Sequence, residues 1–193
     1  MPFTAFDIIL ISPEENHPQE LEILLAFLEA GLSTFHLRKP LASKIEIRGY
    51  LNKIPKKHHD KIMLHQHHDL IREFNLKGLH FPEKVRDEAI QFKGLKSTSF
   101  HDLNSIKNCT YHFDYAFLSP IFPSISKKGH EKEWNISELK STIQKATFPI
   151  IALGGVDLEN IQKCIKIGFQ GAAVLGAVWE QKEAMKEWRI LNK

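Results

Sequence analysis

Two glycine-bearing turns carry the strongest chemical signal in the chain. Gly154 and Gly155 follow the apolar run from Pro149 to Leu153, and Gly176 with Ala177 follows the run from Ala172 to Leu175. A short apolar run that meets glycine and passes into a helical pattern exposes backbone N–H groups at a helix start, where a phosphate can be held. Glycines in such places also serve as plain tight turns. Arg38 ends another apolar run; its guanidinium could grip phosphate oxygens through two parallel hydrogen bonds, or pair with a carboxylate nearby. The segment from Ser119 to Gly129 offers the hydroxyls of Ser119, Ser124 and Ser126, the cation of Lys127 and a glycine exit. It suits a lid over an anionic substrate, and equally a solvated loop stiffened by proline.

Histidine occurs eleven times, and His65, Gln66, His67 and His68 crowd the end of one apolar run. Neutral imidazole is a common ligand for zinc, copper or nickel. Asp69 is the one carboxylate that joins the group, however, and the spacing is not that of a helical i, i+4 pair, so no residue is assigned to a metal. His101 stands apart from that cluster, beside Ser99 and just past another run. An imidazole titrating near neutral pH could shuttle a proton there, or cap the next helix.

Positioning these groups falls to apolar runs of four to eight residues alternating with segments of helical period, the pattern of βα units on a parallel sheet. Eight strands are expected: Ile8 to Ile11, Thr34 to Leu37, Lys61 to Leu64, Gly78 to His80, Leu95 to Thr98, Tyr115 to Leu118, Pro149 to Leu153 and Ala172 to Leu175. Pro18 should open the first helix and Gly31 close it; Asp157 should cap the helix that ends at Gly168. Right-handed crossovers make a closed TIM (β/α)8 barrel of one domain, 1–193, the natural arrangement, with an open doubly wound sheet as the alternative. In the barrel every strand's carboxyl end faces one rim, so Ser12, Arg38 with Lys39, His65 with Gln66, His80, Ser99 with His101, Ser119 and the loop to Lys127, and both glycine turns would meet there.

Composition excludes more than it assigns. The 193 residues are enough for one core, and 42% hydrophobic with 25% charged residues is ordinary for a globular protein. The net charge of +3 arises from 26 basic and 23 acidic residues that are interleaved, without a basic stripe for nucleic acid. Cys109 and Cys164 lack a partner cysteine at metal or redox spacing, and no run approaches the roughly 20 apolar residues of a membrane span. A cytoplasmic protein with a small anionic ligand is expected, and a homo-oligomer remains open.

From Ile8 to Trp179 the chain resembles the thiamine phosphate synthase/TenI family. Asp114-Tyr115-Ala116-Phe117-Leu118-Ser119-Pro120-Ile121-Phe122-Pro123-Ser124-Ile125-Ser126-Lys127 is similar to the family's D-Y-x-x-x-G-P-x-F-x-T-x-T-K. Pro149 to Val156 is similar to P-V-V-A-I-G-G-I, with Asn160 and Gly168 following, and Gly171 to Val178 to the last strand. The resemblance implies a phosphorylated thiazole on Gly154, Gly155, Gly176 and Ala177, with Arg38 or Lys127 near it. Where the synthase reads Q-x-R-x-K, this chain reads His36-Leu37-Arg38-Lys39-Pro40; where it reads N-D, this chain has His65-Gln66. A second metal-binding aspartate falls near Val85.

Both carboxylates for magnesium are thus replaced, and Mg2+ is expected only if the chain joins a pyrimidine diphosphate to thiazole phosphate. The TenI branch instead isomerises a thiazole carboxylate phosphate by proton transfer, without a metal, and Ser99-Phe100-His101 resembles its S-x-H. By that resemblance His101 is the general acid/base of a thiazole tautomerase, the favoured reading. A synthase with a rebuilt magnesium site and a non-catalytic phosphate-binding or regulatory protein are the alternatives.

Overall fold

The computed structural model describes residues 6–123, 133–157 and 159–180. Eight parallel strands close in sequence order into a barrel: β1 (Asp7–Ile11), β2 (Thr34–Leu37), β3 (Ile62–Leu64), β4 (Gly78–Phe81), β5 (Leu95–Phe100), β6 (Tyr115–Leu118), β7 (Ile150–Leu153) and β8 (Gly171–Val174). Each begins or ends within two residues of its expected place. Strands buried on both faces read as unbroken apolar runs, which is why they are visible in the sequence. The seam is the parallel pair of β1 and β8, with Ile8 opposite Ala172 and Leu10 opposite Val174. Trp179 Nε1 donates to Ile11 O at 2.6 Å across it.

The outer ring comprises α1 (Glu20–Glu29), α2 (Lys44–Lys53), α3 (Leu103–Lys107), α4 (Ile136–Lys145), α5 (Ile161–Ile167) and α6 (Gly176–Trp179). Their apolar faces and the outward residues of the strands form the main core, which includes Leu24, Phe27, Phe35, Leu64, Phe100, Leu118 and Val174. Ser43 starts α2 with a reciprocal capping box to Glu46. After β3 and β4 the connections are 3-10 turns, His68–Arg72 and Glu83–Ile90, instead of α-helices. Gly31, at φ +99°, follows α1 as expected, but the helix begins two residues beyond Pro18.

Asp157 does not cap α5. Its carboxylate accepts from the N–H groups of Glu159 and Asn160, and Asn160 occupies the cap position. The short aspartate side chain satisfies the turn just before the helix, a competing local bond that Asp often makes. Among the described residues no helix is long and apolar enough to cross a membrane.

The inward faces of the strands make a second cluster: Ile9, Ile11, Met63, Tyr115, Phe117, Ile151 and Ala173. Alternation along the same strands turns His36 and His80 onto Phe117. The barrel interior is therefore apolar beside β1, β7 and β8 and rich in imidazole and hydroxyl groups beside β2 to β5.

Candidate active site

The turn after β7 is built to need glycine. Gly154 and Gly155 have φ of +89° and +64°. A Cβ on Gly154 would lie 2.8 Å from Pro120 Cα, and one on Gly155 would lie 2.5 Å from Pro123 O and 2.7 Å from Phe122 O. The segment after β6 is laid directly over this turn: Ile121 N donates to Leu153 O at 2.9 Å and Phe122 N to Gly154 O at 3.1 Å. Asn160 Nδ2 donates to Gly155 O at 2.6 Å, fixing the turn from beneath. At the end of β8, Val178 and Trp179 make their backbone bonds to Leu175 O, so the N–H groups of Gly176 and Ala177 stand ahead of them at the start of α6.

His101 is exposed beyond β5, with Nδ1 3.1 Å from Ser119 O and 3.2 Å from Ser119 Oγ. The Ser119–Pro120 corner thus touches His101 on one side and Gly154 on the other. Arg38 is half-exposed, and its Nη1 donates to Glu14 Oε1 at 2.5 Å. Such an open pair is weak and can be exchanged for an anionic ligand. Ser124, Ser126 and Lys127 lie outside the described residues.

Gln66 does not turn into the mouth: its side-chain amide donates to Lys39 O. His67, in the left-handed region at φ +55°, bonds Ala42 O at 2.9 Å, and His68 bonds His80 O at 3.0 Å. Consecutive residues past a strand end diverge, and backbone carbonyls claim both rings. Lys39 is also withdrawn, since its Nζ sits 2.5 Å from Glu20 Oε2 with both side chains 5% exposed.

His65 instead joins His36 and His80 across the mouth. His36 Nδ1 is 2.8 Å from His65 Nε2, and its Nε2 is 2.5 Å from the Tyr115 hydroxyl. His80 Nδ1 is 2.9 Å from Ser97 Oγ, and its Nε2 is 3.1 Å from Ser99 Oγ. The rings of His65 and His80 stack with centroids 4.1 Å apart. Burial, reinforced by the charge of the neighbouring His80, pushes His36 and His65 well below the usual imidazole range, and burial takes His80 down to about 3. Burial also holds the Tyr115 phenol protonated far above its ordinary value. Sequence reading did not gather His36, Tyr115 and Ser97 into the site. The signal was the period of two: applied to β2 through β6 together, it places all of them inside.

A closed parallel barrel with glycine-bearing turns after its seventh and eighth strands defines the class of (β/α)8 barrel proteins. Residues 8–178 match the family model described as thiamine monophosphate synthase, and the chain belongs to that family. A structure described as thiamine phosphate pyrophosphorylase from Bacteroides thetaiotaomicron is 30% identical, covers 97% of this chain and 96% of its own, and superposes with a TM-score of 0.83. Thiamine-phosphate synthases from Latilactobacillus sakei and Chlamydia caviae are 25% and 26% identical over 187 and 183 residues, covering 90% and 89% of this chain and 84% and 86% of their own.

Magnesium, which the family's synthase chemistry implies, prefers oxygen donors with one or two carboxylates. The mouth at β2 to β4 offers imidazole nitrogen instead. Asp69 is engaged with Lys44 outside it, and Glu83 is exposed next to the half-buried Val85. The described donors do not fit Mg2+.

Proposed function

We propose that the chain binds a phosphorylated thiazole on the turns after β7 and β8 and isomerises it by proton transfer, with His101 as general acid/base. One observation carries this reading. His101 and the Gly154-Gly155 turn flank the same Ser119–Pro120 corner, so a ligand anchored by its phosphate after β7 has an imidazole across the end of β6, beyond β5. The phosphate rests on the N–H groups of Gly155, Gly176 and Ala177. A substrate carboxylate replaces Glu14 on Arg38. His101 takes a proton from one ring position and returns it at another, and the net change is a tautomer shift that consumes nothing. Ser99 and Ser119 orient the imidazoles of His80 and His101 respectively.

A second reading, the joining of a pyrimidine diphosphate to thiazole phosphate with release of diphosphate, is favoured by the names of the three relatives above, two synthases and a pyrophosphorylase. At the level of homology it is the better supported of the two. The donor chemistry supports the isomerase, because a departing diphosphate is helped by Mg2+, the described donors do not fit that ion, and Lys39 is engaged with Glu20.

Two assays separate them. His101→Ala is expected to cut isomerase turnover about 10²-fold or more while thiazole phosphate still binds. Thiamine phosphate formed from both substrates in a magnesium-dependent way, followed by fluorescence after oxidation, would establish the synthase instead. Gly155→Ala should weaken thiazole phosphate binding at least about tenfold by calorimetry, since the added methyl meets two backbone oxygens at positive φ. Gly168→Ala has positive φ too but nothing within 4 Å of its Cβ, and should leave that affinity unchanged.

A further inference from the structure

Strand alternation brings three imidazoles to one point in the barrel mouth, and one ring nitrogen of each of His36, His65 and His80 lies within 4.8 Å of the other two. We propose that His36, His65 and His80 form a binding site for a borderline divalent cation of the zinc class, with a fourth position open toward the rim. Three neutral nitrogens suit Zn2+, Co2+, Ni2+ or Cu2+ and disfavour Mg2+. A three-histidine set with one open position is a recurrent arrangement for zinc that acts on substrates.

The outer ring atoms are already held as ligating histidines require. Tyr115 fixes His36 through Nε2 and Ser97 fixes His80 through Nδ1. Nδ1 of His36 and Nε2 of His65 already face each other at 2.8 Å. When a cation enters between them, His36 carries its proton on Nε2 and donates it to the Tyr115 oxygen. His80 contributes Nε2, exchanging its 3.1 Å contact with Ser99 for the ion.

One ring must move. His65 and His80 are stacked at 19°, and parallel rings cannot aim in-plane lone pairs at one ion. His65 lies beyond the end of β3 and is only partly buried, unlike His36 and His80, so it makes the turn. No carboxylate stands among the three ligands, so the ion's double charge is balanced by an anion at the open position, hydroxide or a phosphate oxygen of a ligand.

The test uses the full chain, stripped with a chelator and titrated with Co2+ alone, whose four-coordinate complexes absorb in the visible. One Co2+ per chain is expected, displaced by Zn2+ and not by Mg2+, and Zn2+ should move the imidazole 15N shifts of His36, His65 and His80. His65→Gln should weaken Co2+ at least about tenfold, as losing a ligand does, while His67→Gln leaves affinity unchanged. The absence of four-coordinate absorption in the unmodified protein, or equal affinity in folded His65→Gln, overturns the proposal. Binding is read without substrate, so its failure and the failure of the isomerase reading are separate results.

Discussion

Lowering the pH from 7 to 5 is expected to destabilise the metal-free protein by at least about 2 kcal/mol, the contribution of one buried imidazole over that interval, with His36 and His65 adding to it in the same direction. The folded chain keeps His36, His65 and His80 neutral because burial opposes their charged form. The unfolded chain protonates them below about pH 6.5. The unfolded state therefore binds more protons as pH falls, each group costs about 1.4 kcal/mol per pH unit, and the loss levels off only below the folded-state values, near 3 for His80. Carboxylates do not blur the window. Hydrogen bonds from Lys57, Lys44 and Arg48 hold Glu29, Asp69 and Glu73 below their ordinary values, so their contribution disappears only under about pH 4.5. Urea midpoints measured at half-unit steps between pH 7 and 5 give the slope directly. A slope below one proton would mean that water or a structural change relieves the buried imidazoles.

Lys39→Met is expected to destabilise the fold by about 3–5 kcal/mol, because it strands the Glu20 carboxylate at 5% exposure without its cation. Lys39 Nζ also donates to Glu15 O at 3.0 Å, so the truncation removes a bond to the loop ahead of α1. Adding Glu20→Leu should restore most of the loss, since replacing both members of a buried pair by apolar groups is close to neutral. Denaturation of the two single variants and the double variant closes the cycle. Losses that simply add would show that the pair is not coupled. The measurement also bears on mechanism: a fall in activity in Lys39 variants would report stability and not a contact with substrate.

The barrel itself was legible because buried parallel strands leave apolar runs bounded by turns, and eight such runs with right-handed crossovers can close on themselves. What escaped was set through space. His36 reads as the first letter of a motif centred on Arg38, yet its ring meets Tyr115, 79 positions away. Lys39 reads as a rim cation, but beyond the end of β2 its ammonium pairs with Glu20 on α1. His67 and His68 look like partners of His65 along the chain, whereas neighbouring backbone carbonyls take both. Asp157 and Asn160 are both good cap residues, and which of them caps α5 depends on a turn that spacing alone does not specify.

The β1–β8 seam, with Trp179 reaching back to Ile11, dictates an order of events during synthesis. Pairing Ile8 with Ala172 joins the start of the chain to a strand made more than 150 residues later, a contact that no earlier segment can replace. Until β8 leaves the ribosome, β1 presents an unpaired edge and the Gly176 turn does not exist. The turn after β8 is thus made after those of the other seven strands, and a nascent chain that stalls before Gly171 has the Gly154-Gly155 turn without its counterpart at Gly176. Topologies with such distant pairings fold slowly and expose edges while they do. For this protein, then, barrel closure and the making of the turn that leads into α6 coincide.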